Sequence, residues 1–570
     1  MRSSGRVFAC RDDWGLGASA SFRFAKRANR LSPSRAWLPG HGVCGSLANS
    51  RFLSSARSYT AWAVTIRLYN TLTQRLENLE PRVPGKVSLY ACGMTTYDAP
   101  HAGHGRTHTT FDVLARHLRA RGYEVTHVRN VTDVDDRILA RAKERKEDPL
   151  ALSSRMSDLC DRELRAIGCA DPTHEPRVSR TIPEIIALIE TLIDKGLAYV
   201  APTPKGKDVL FAVRNFPDYG KLSHRNLDDL LSGARVEVDE SKRDPLDFAL
   251  WKGDTEESWG WPSPWGKGRP GWHIECSAMA EKTIGPHIDI HGGGMDLMFP
   301  HHENEIAQSE GAWGAPFASL WMHCGFLNID KEKMSKSLGN FVTIGDVLAR
   351  NDAEALRYFY LGTHYRGPLQ FETEKDEASG RVFFPTVDEA ERRVEYLFNT
   401  REALVAAAGD AEPAAGNVLQ GQAKVIDEAP ARVLAALDKD LNAPQALAVI
   451  AELAKAANEV VVQIPKLKNN KAAQDAAKQL AARAVQSLDG ACAPLGLMQA
   501  TPEEFASRSR SRRLRIRGLD ARSIDAKLRE RSEARAGKDF QRADAIRKEL
   551  DAIGVEVLDT AGVSSWRVKI

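Results

Sequence analysis

Two short segments carry residue types suited to phosphate chemistry. His101-Ala102-Gly103-His104 sets two imidazoles around a glycine. Glycine lets the backbone approach a ligand closely, a helix N-terminus offers unpaired N–H groups and positive potential, and imidazoles donate to phosphate oxygens. Lys333-Met334-Ser335-Lys336-Ser337, followed by Leu338-Gly339-Asn340, places two cations around small residues on a loop. Two lysines can neutralise charge that builds on a leaving pyrophosphate. Either segment alone is weak, because histidines and lysines in loops are usually just solvated. The pair, roughly 230 residues apart with a βαβ pattern between them, is specific. A third group is more scattered. His301 and Glu305 are four apart, so on a helix they share a face. Cys92 lies at a strand end and Cys276 beside Trp272. Two thiolates, an imidazole and a carboxylate suit a tetrahedral Zn²⁺. Spacing does not bring the four together, and buried free cysteines with a surface His/Glu pair is the usual reading of ligands this dispersed.

The elements that must position these residues follow from periodicity. Lys86–Cys92 reads as a buried strand, Arg106–Arg121 as a helix with Phe111, Val113, Leu114 and Leu118 apolar, and Gly122 as its C-terminal stop. Glu124–Val131 is again strand-like. Strand, helix, strand predicts a parallel sheet with ligands at the carboxyl ends of its strands. Thr181-Ile-Pro-Glu184 predicts a capping box before a helix that Gly196 ends. Residues 197–250 suggest short strands inserted between two halves of the sheet. From about 346 the pattern turns helical, and the Ala-rich 400–500 suits a helix bundle.

Composition bounds the rest. The chain has 570 residues, enough for three to five domains. No run approaches ~20 apolar residues, so no membrane span is expected. Eight cysteines without a close C-x-x-C pair point to a reducing compartment. Residues 1–63 hold ten basic and two acidic residues, and the remaining 69 basic and 74 acidic residues leave the body mildly acidic. A nucleic acid would therefore be met by local patches. The N-terminal segment reads either as a transit peptide or as sequence upstream of a start near Val64. Trp14, Trp37 and its scattered Gly and Pro favour the second reading. At the other end, Arg508, Arg510, Arg512, Arg513, Arg515 and Arg517 fall within ten residues without an acid. A solvated helix face or linker is the default for such a run, and a phosphate-binding surface is the sharper reading.

The H-A-G-H and K-M-S-K-S pair resembles the signature of class I aminoacyl-tRNA synthetases. The words around it are similar to the cysteinyl-tRNA synthetase subfamily: Cys92-Gly-Met-Thr-Thr-Tyr-Asp98, Asn130-Val-Thr-Asp-Val-Asp-Asp136, Gly271-Trp-His-Ile-Glu-Cys-Ser-Ala278 and Phe299-Pro-His-His-Glu-Asn-Glu305. The likeness covers about 64–570. Ala102 and Met94-Thr95-Thr96 depart from the family words without touching a ligand group. The resemblance implies an α/β architecture: a Rossmann-type parallel-sheet catalytic domain with an insertion, then a helical bundle and a small basic anticodon-binding domain. The expected division is 1–63 extension, 64–165 first catalytic half, 166–250 connective insertion, 251–345 second half with the K-M-S-K-S loop, 346–405 stem-contact region, 406–507 bundle and 508–570 anticodon-binding domain.

The resemblance also implies a cysteine–tRNA ligase that forms cysteinyl-adenylate from L-cysteine and ATP and passes it to tRNA-Cys. Cys92, Cys276, His301 and Glu305 match its zinc ligands one by one, and His302 is set aside. Zinc prefers a thiolate to a hydroxyl, whereas an apolar pocket rejects such an isostere only ~10²-fold. His101, His104, Lys333 and Lys336 are the expected catalytic residues. ATP, with Mg²⁺, falls to His101, Gly103, His104, Asp296 and Lys336, with Asp296 on ribose or on the amino group. Thr132 and Trp272 are expected at the substrate, and Trp566 is expected to stack on an anticodon base. A monomer in the cytoplasm is expected, or in the mitochondrial matrix if 1–63 is a transit peptide. A ligase joining the adenylate to an amino sugar lacks the anticodon module, and the 200-odd residues after Ser337 favour tRNA. A non-catalytic paralogue would have lost a lysine or a zinc ligand.

Overall fold

The computed structural model describes residues 65–226, 242–254, 259–329, 332–333, 341–375, 381–560 and 563–570. The extension 1–63 and Lys336 lie outside these residues. A hairpin, β1 (Arg67–Asn70) and β2 (Arg75–Asn78), opens the fold. In β3 (Lys86–Ala91), Val87, Leu89, Tyr90 and Ala91 are buried, as in a strand covered on both faces. Helix α1 (Ala102–Ala120) crosses over, and β4 (Glu124–Arg129) pairs with β3 in parallel, Lys86 opposite Glu124. α1 starts at Ala102 and not at Arg106 because His101 caps it. An imidazole is not among the usual capping side chains, so the sequence carried no ordinary start signal. Gly122, at φ 91°, supplies the left-handed turn that ends the helix.

α2 (Asp136–Arg145), α3 (Pro149–Ala166) and α4 (Ile182–Asp194) follow. Thr181 does precede α4, but its hydroxyl donates to the carbonyl of Arg177 (2.9 Å) and forms no capping box. The preceding 3₁₀ turn, Val178–Arg180, brings that carbonyl within reach. The insertion is a four-stranded antiparallel sheet of β5 (Ala198–Thr203), β6 (Gly206–Phe211), β7 (Phe248–Gly253) and β8 (Gly268–Pro270). A limit at 250 therefore cuts this sheet. β8 has only three residues, and the Trp-rich sequence between β7 and β8 hides their alternation.

α5 (Trp272–Thr283), β9 (Ile288–Gly294), α6 (Glu303–Trp313) and β10 (Ala318–Cys324) complete a parallel sheet in the order β10-β9-β3-β4. The chain leaves β3 toward one edge and β9 toward the other, so their carboxyl ends bound a crevice. Gly292 lets α1 lie close on the sheet: a Cβ there would sit 2.3 Å from the Met322 carbonyl oxygen and 2.5 Å from Phe111 Cζ.

β11 (Leu327–Ile329), β12 (Glu332–Lys333), α7 (Ile344–Arg350), α8 (Ala353–Leu361) and β13 (Leu369–Phe371) lead to the bundle. Its helices are α9 (Pro385–Ala408), α10 (Gln420–Leu437), α11 (Ala443–Gln463) and α12 (Lys471–Cys492). Each turns one apolar stripe inward, for example Ile450, Leu453, Ala457 and Val460 on α11. α13 (Pro502–Arg517), α14 (Ala521–Ala536), α15 (Phe540–Ala552) and the hairpin β14 (Val555–Thr560) and β15 (Val563–Val568) end the chain. A division at 508 falls inside α13. Among the described residues no helix is long and apolar enough to cross a membrane.

Candidate active site and metal centre

Cys92 follows β3 at the crevice, Cys276 lies on α5, His301 in the turn before α6, and Glu305 on α6. All four are buried, and their ligand atoms lie within 4.8 Å of one another. Cys92 Sγ stands 3.8 Å from Cys276 Sγ, 3.8 Å from His301 Nε2 and 3.6 Å from Glu305 Oε1. A disulfide would need about 2.05 Å. A tetrahedron with ~2.3 Å Zn–S bonds has edges of about 3.8 Å. The donor set therefore fits Zn²⁺ in both chemistry and size.

A shell of imidazoles orients these donors. His291 Nε2 meets Glu305 Oε2 at 2.8 Å, and its Nδ1 meets the Tyr90 carbonyl at 3.1 Å. His273 Nδ1 lies 3.0 Å from His301 Nδ1. His302 turns to His323 (2.8 Å), which contacts Thr71 Oγ1 (2.9 Å). Cys92, His291, His302 and Glu305 form a second overlapping group within the same 4.8 Å. None of His273, His291, His302 and His323 was assigned a role from sequence. His273 and His302 sit inside the matching words and His291 and His323 outside them, and only tertiary contact gives the four a function.

The charges are coupled. Burial pushes the Cys92 thiol well up, helped by Cys276 and Glu305. Its hydrogen bond draws Cys276 down to about 6 against burial. Burial would lower His301, but Glu305 and Cys276 raise it to about 10. Burial would raise Glu305, but His291 and His301 hold it well below the usual carboxylate range. Burial keeps His273 and His302 neutral and lowers His323 to about 3.

Next to this cluster lies a cavity of about 260 Å³, lined among others by Cys92, His101, Gly103, His104, Trp272 and Asp296. His101 and His104 cap α1 reciprocally: each backbone N–H donates to the other's Nδ1 at 3.2 Å, and the rings stack 3.5 Å apart. Acceptance at Nδ1 leaves the proton of the neutral imidazole on Nε2, which makes that atom a donor. The chain just beyond the K-M-S-K-S segment is tied to the same turn. Ala102 N–H donates to the Val342 carbonyl (2.9 Å) and Ile344 N–H to that of Pro100 (3.0 Å). The backbone of Lys333 pairs with Asn328 on β11. Trp272 stacks on His301 with centroids 4.4 Å apart. Thr132 is not brought to the cavity wall. It is buried and accepts a hydrogen bond from Asn130 Nδ2 (3.3 Å).

Two C-terminal expectations need correction. Trp566 is 4% exposed, sits in the small core with Ile546 and Leu550, and donates from Nε1 to Asp525 (2.7 Å). Arg510 covers its ring at 4.4 Å, so no face is open to a base. The exposed aromatic of this region is Phe540, at 62%. Half of the arginine run is not an open phosphate surface either, while Arg510, Arg515 and Arg517 stay exposed. Arg508 and Arg512 bind Asp352 (2.7 and 3.1 Å), and Arg512 and Arg513 bind Glu391 (2.5 and 2.9 Å). Those carboxylates are buried on α8's N-terminal turn and on α9, which no charge count along the chain reveals.

A parallel sheet with this histidine cap at its crevice is the architecture of a class I aminoacyl-tRNA synthetase. Residues 78–380 match the class I (C) tRNA synthetase catalytic domain, 432–499 the DALR domain, and 519–567 the cysteinyl-tRNA ligase anticodon binding domain. The fold is similar to a Mycobacterium tuberculosis methionyl-tRNA synthetase (TM-score 0.56, 18% identity, 77% of this chain and 94% of that one). Curated relatives include the cysteine–tRNA ligases of Anaeromyxobacter sp. strain Fw109-5 (49% identical, 88% of this chain and 100% of the relative) and Geobacter metallireducens (44%, 89% and 100%). The chain belongs to the cysteine–tRNA ligase family.

Proposed function

We propose that the chain activates L-cysteine with ATP and esterifies tRNA-Cys with it, selecting cysteine by its thiol. One observation carries this reading: Cys92 belongs both to the four-donor cluster and to the wall of the histidine-capped cavity. A Zn²⁺ held by Cys92, Cys276, His301 and Glu305 would supply a ligand position that prefers a thiolate to a hydroxyl. The cysteine carboxylate attacks the α-phosphate, the bond from Pα to the bridging oxygen breaks, and pyrophosphate leaves. His101 and His104 donate from Nε2 to phosphate oxygens, with Gly103 keeping the backbone close. Lys333 and Lys336 offset charge on pyrophosphate, and Mg²⁺ accompanies ATP. Catalysis is positioning and charge stabilisation. Trp272 walls the thiol pocket, Thr132 supports it from behind, and Asp296 takes ribose or the amino group. Phe540 replaces Trp566 as the base-stacking aromatic. The reading is of a monomer, and a cytoplasmic enzyme fits the free cysteines of the described residues.

The test is cysteine-dependent ATP–pyrophosphate exchange followed by charging of tRNA-Cys. Both are expected with cysteine, and neither with serine. Equal exchange with serine, or none with cysteine, overturns the reading. Lys336→Ala should slow adenylate formation by ~10²–10³ while leaving the cysteine KM nearly unchanged. A raised KM at full turnover would remove Lys336 from this role.

A further inference from the structure

Arg137, the second residue of α2, has no part in the chemistry so far. It lines the same cavity as Cys92, His101 and Asp296. Among the described lining residues it is the only side chain with a permanent positive charge, and Asp296 is the only carboxylate. The guanidinium sits at the cavity mouth, its side chain 49% exposed, with Cζ 5.1 Å from the Tyr97 ring and 5.6 Å from that of Trp272. Trp272 in turn stacks on His301 of the metal cluster. The order outward from the cluster is thus His301, Trp272, Arg137.

The head group is anchored at two of its three nitrogens. Nε donates to Asp135 at 3.0 Å; Nη2 donates to Thr95 Oγ1 at 3.1 Å and to Asp135 at 3.4 Å. Among the described residues Nη1 has no hydrogen-bond acceptor. The ion pair with Asp135 and the bond to Thr95 account for Nε and Nη2. They do not account for the two aromatic rings beside the guanidinium or for the donor left at the mouth. A guanidinium held this way is preorganised for a planar oxyanion.

The substrate has such a group. An amino acid enters as a zwitterion, and its carboxylate must approach a triphosphate of like charge. A cation beside the carboxylate relieves that repulsion where attack occurs. We infer that Arg137 receives the α-carboxylate of cysteine at the cavity mouth, opposite Asp296, and holds it toward the α-phosphate. The inference rests on the cysteine-activating reading above and adds the residue that recognises the carboxylate.

The experiment measures pyrophosphate exchange in the full chain, with cysteamine, which is cysteine without its carboxylate, as competitor. Exchange by the unaltered protein first checks the underlying reading; its absence would fail that reading, not this one. Arg137→Gln should raise the cysteine KM on the order of 10- to 100-fold, the range for one charge-assisted hydrogen bond. The ATP KM and the cysteamine inhibition constant should stay unchanged, and Arg137→Lys should recover part of the loss. An unchanged cysteamine constant also reports an intact pocket. Equal weakening of cysteine and cysteamine would reduce Arg137 to packing on Trp272 and overturn the inference. A shift in the ATP KM instead, or a defect confined to tRNA charging, would overturn it equally.

Discussion

Four donors converge on one buried point, and their charges oppose one another. With Glu305 low, Cys276 near 6, His301 near 10 and Cys92 high, the neutral-pH cluster holds its protons on Cys92 and His301. A divalent cation held by these residues would displace both protons, so metal affinity should fall as pH falls. Cys276→Ser removes a thiolate from this balance. Metal content should drop below one per chain, and serine-dependent exchange should rise, because the remaining pocket separates O from S poorly. Full metal content with intact rejection of serine would sink the assignment. Glu163 offers a separate test of buried charge. Burial raises its carboxyl to about 7, against a backbone hydrogen bond from Gly345 in α7. The folded value exceeds the unfolded one, so the unfolded state loses its proton first as pH rises. This group's contribution to stability is complete below about pH 4.5 and is lost up to about 7. Glu163→Gln should flatten the decline in melting temperature between pH 5 and 8. An unaltered pH profile would show that Glu163 ionises normally.

At the scale of elements, helix ends do most of the positioning. His101 and His104 close the N-terminus of α1 and thereby fix their own tautomers. α13 is held differently, by ion pairs to Asp352, Glu354 and Glu391. Arg512 and Arg513 are 8% and 7% exposed and Glu391 1%, so each needs its partner. A buried pair contributes little beyond an apolar replacement, but removing one partner leaves a charge stranded. Glu391→Ala should therefore cost ~3–5 kcal/mol, seen as an earlier first transition in urea. A change within about 0.5 kcal/mol would place these charges in effective contact with water.

At the scale of the whole molecule, the same clamp decides where the chain can be cut. The matched anticodon-binding domain starts at 519, just beyond α13. Ending the chain after Arg517 keeps Arg508, Arg512 and Arg513 on their carboxylates. Pyrophosphate exchange should persist, charging of tRNA-Cys should weaken, and the remaining tRNA affinity should depend less steeply on salt, since fewer phosphates are contacted. Ending it at 505 strips all three arginines and should lower stability and exchange together. Identical exchange and melting in the two truncations would show that α13 is dispensable to the core. The basic tail thus divides in a way that its charge alone does not show: Arg508, Arg512 and Arg513 of α13 bind inward, and Arg510, Arg515 and Arg517 remain exposed.

The motifs H-A-G-H and K-M-S-K-S, the β3–α1–β4 unit and the bundle were legible in the chain because each depends on neighbours a few residues apart. Periodicity and spacing encode such local constraints directly. Family words added the four metal donors, which lie up to 213 residues apart and whose meeting no spacing rule predicts. Tertiary structure alone decided the rest. It put His291 and His273 behind the donors, turned His101 and His104 into each other's caps, buried Trp566 while leaving Phe540 exposed, and matched Arg508, Arg512 and Arg513, three of the six clustered arginines, to acids more than a hundred residues away. Burial and pairing are properties of what lies opposite a side chain, and the identity of that partner is set by the packing of distant elements.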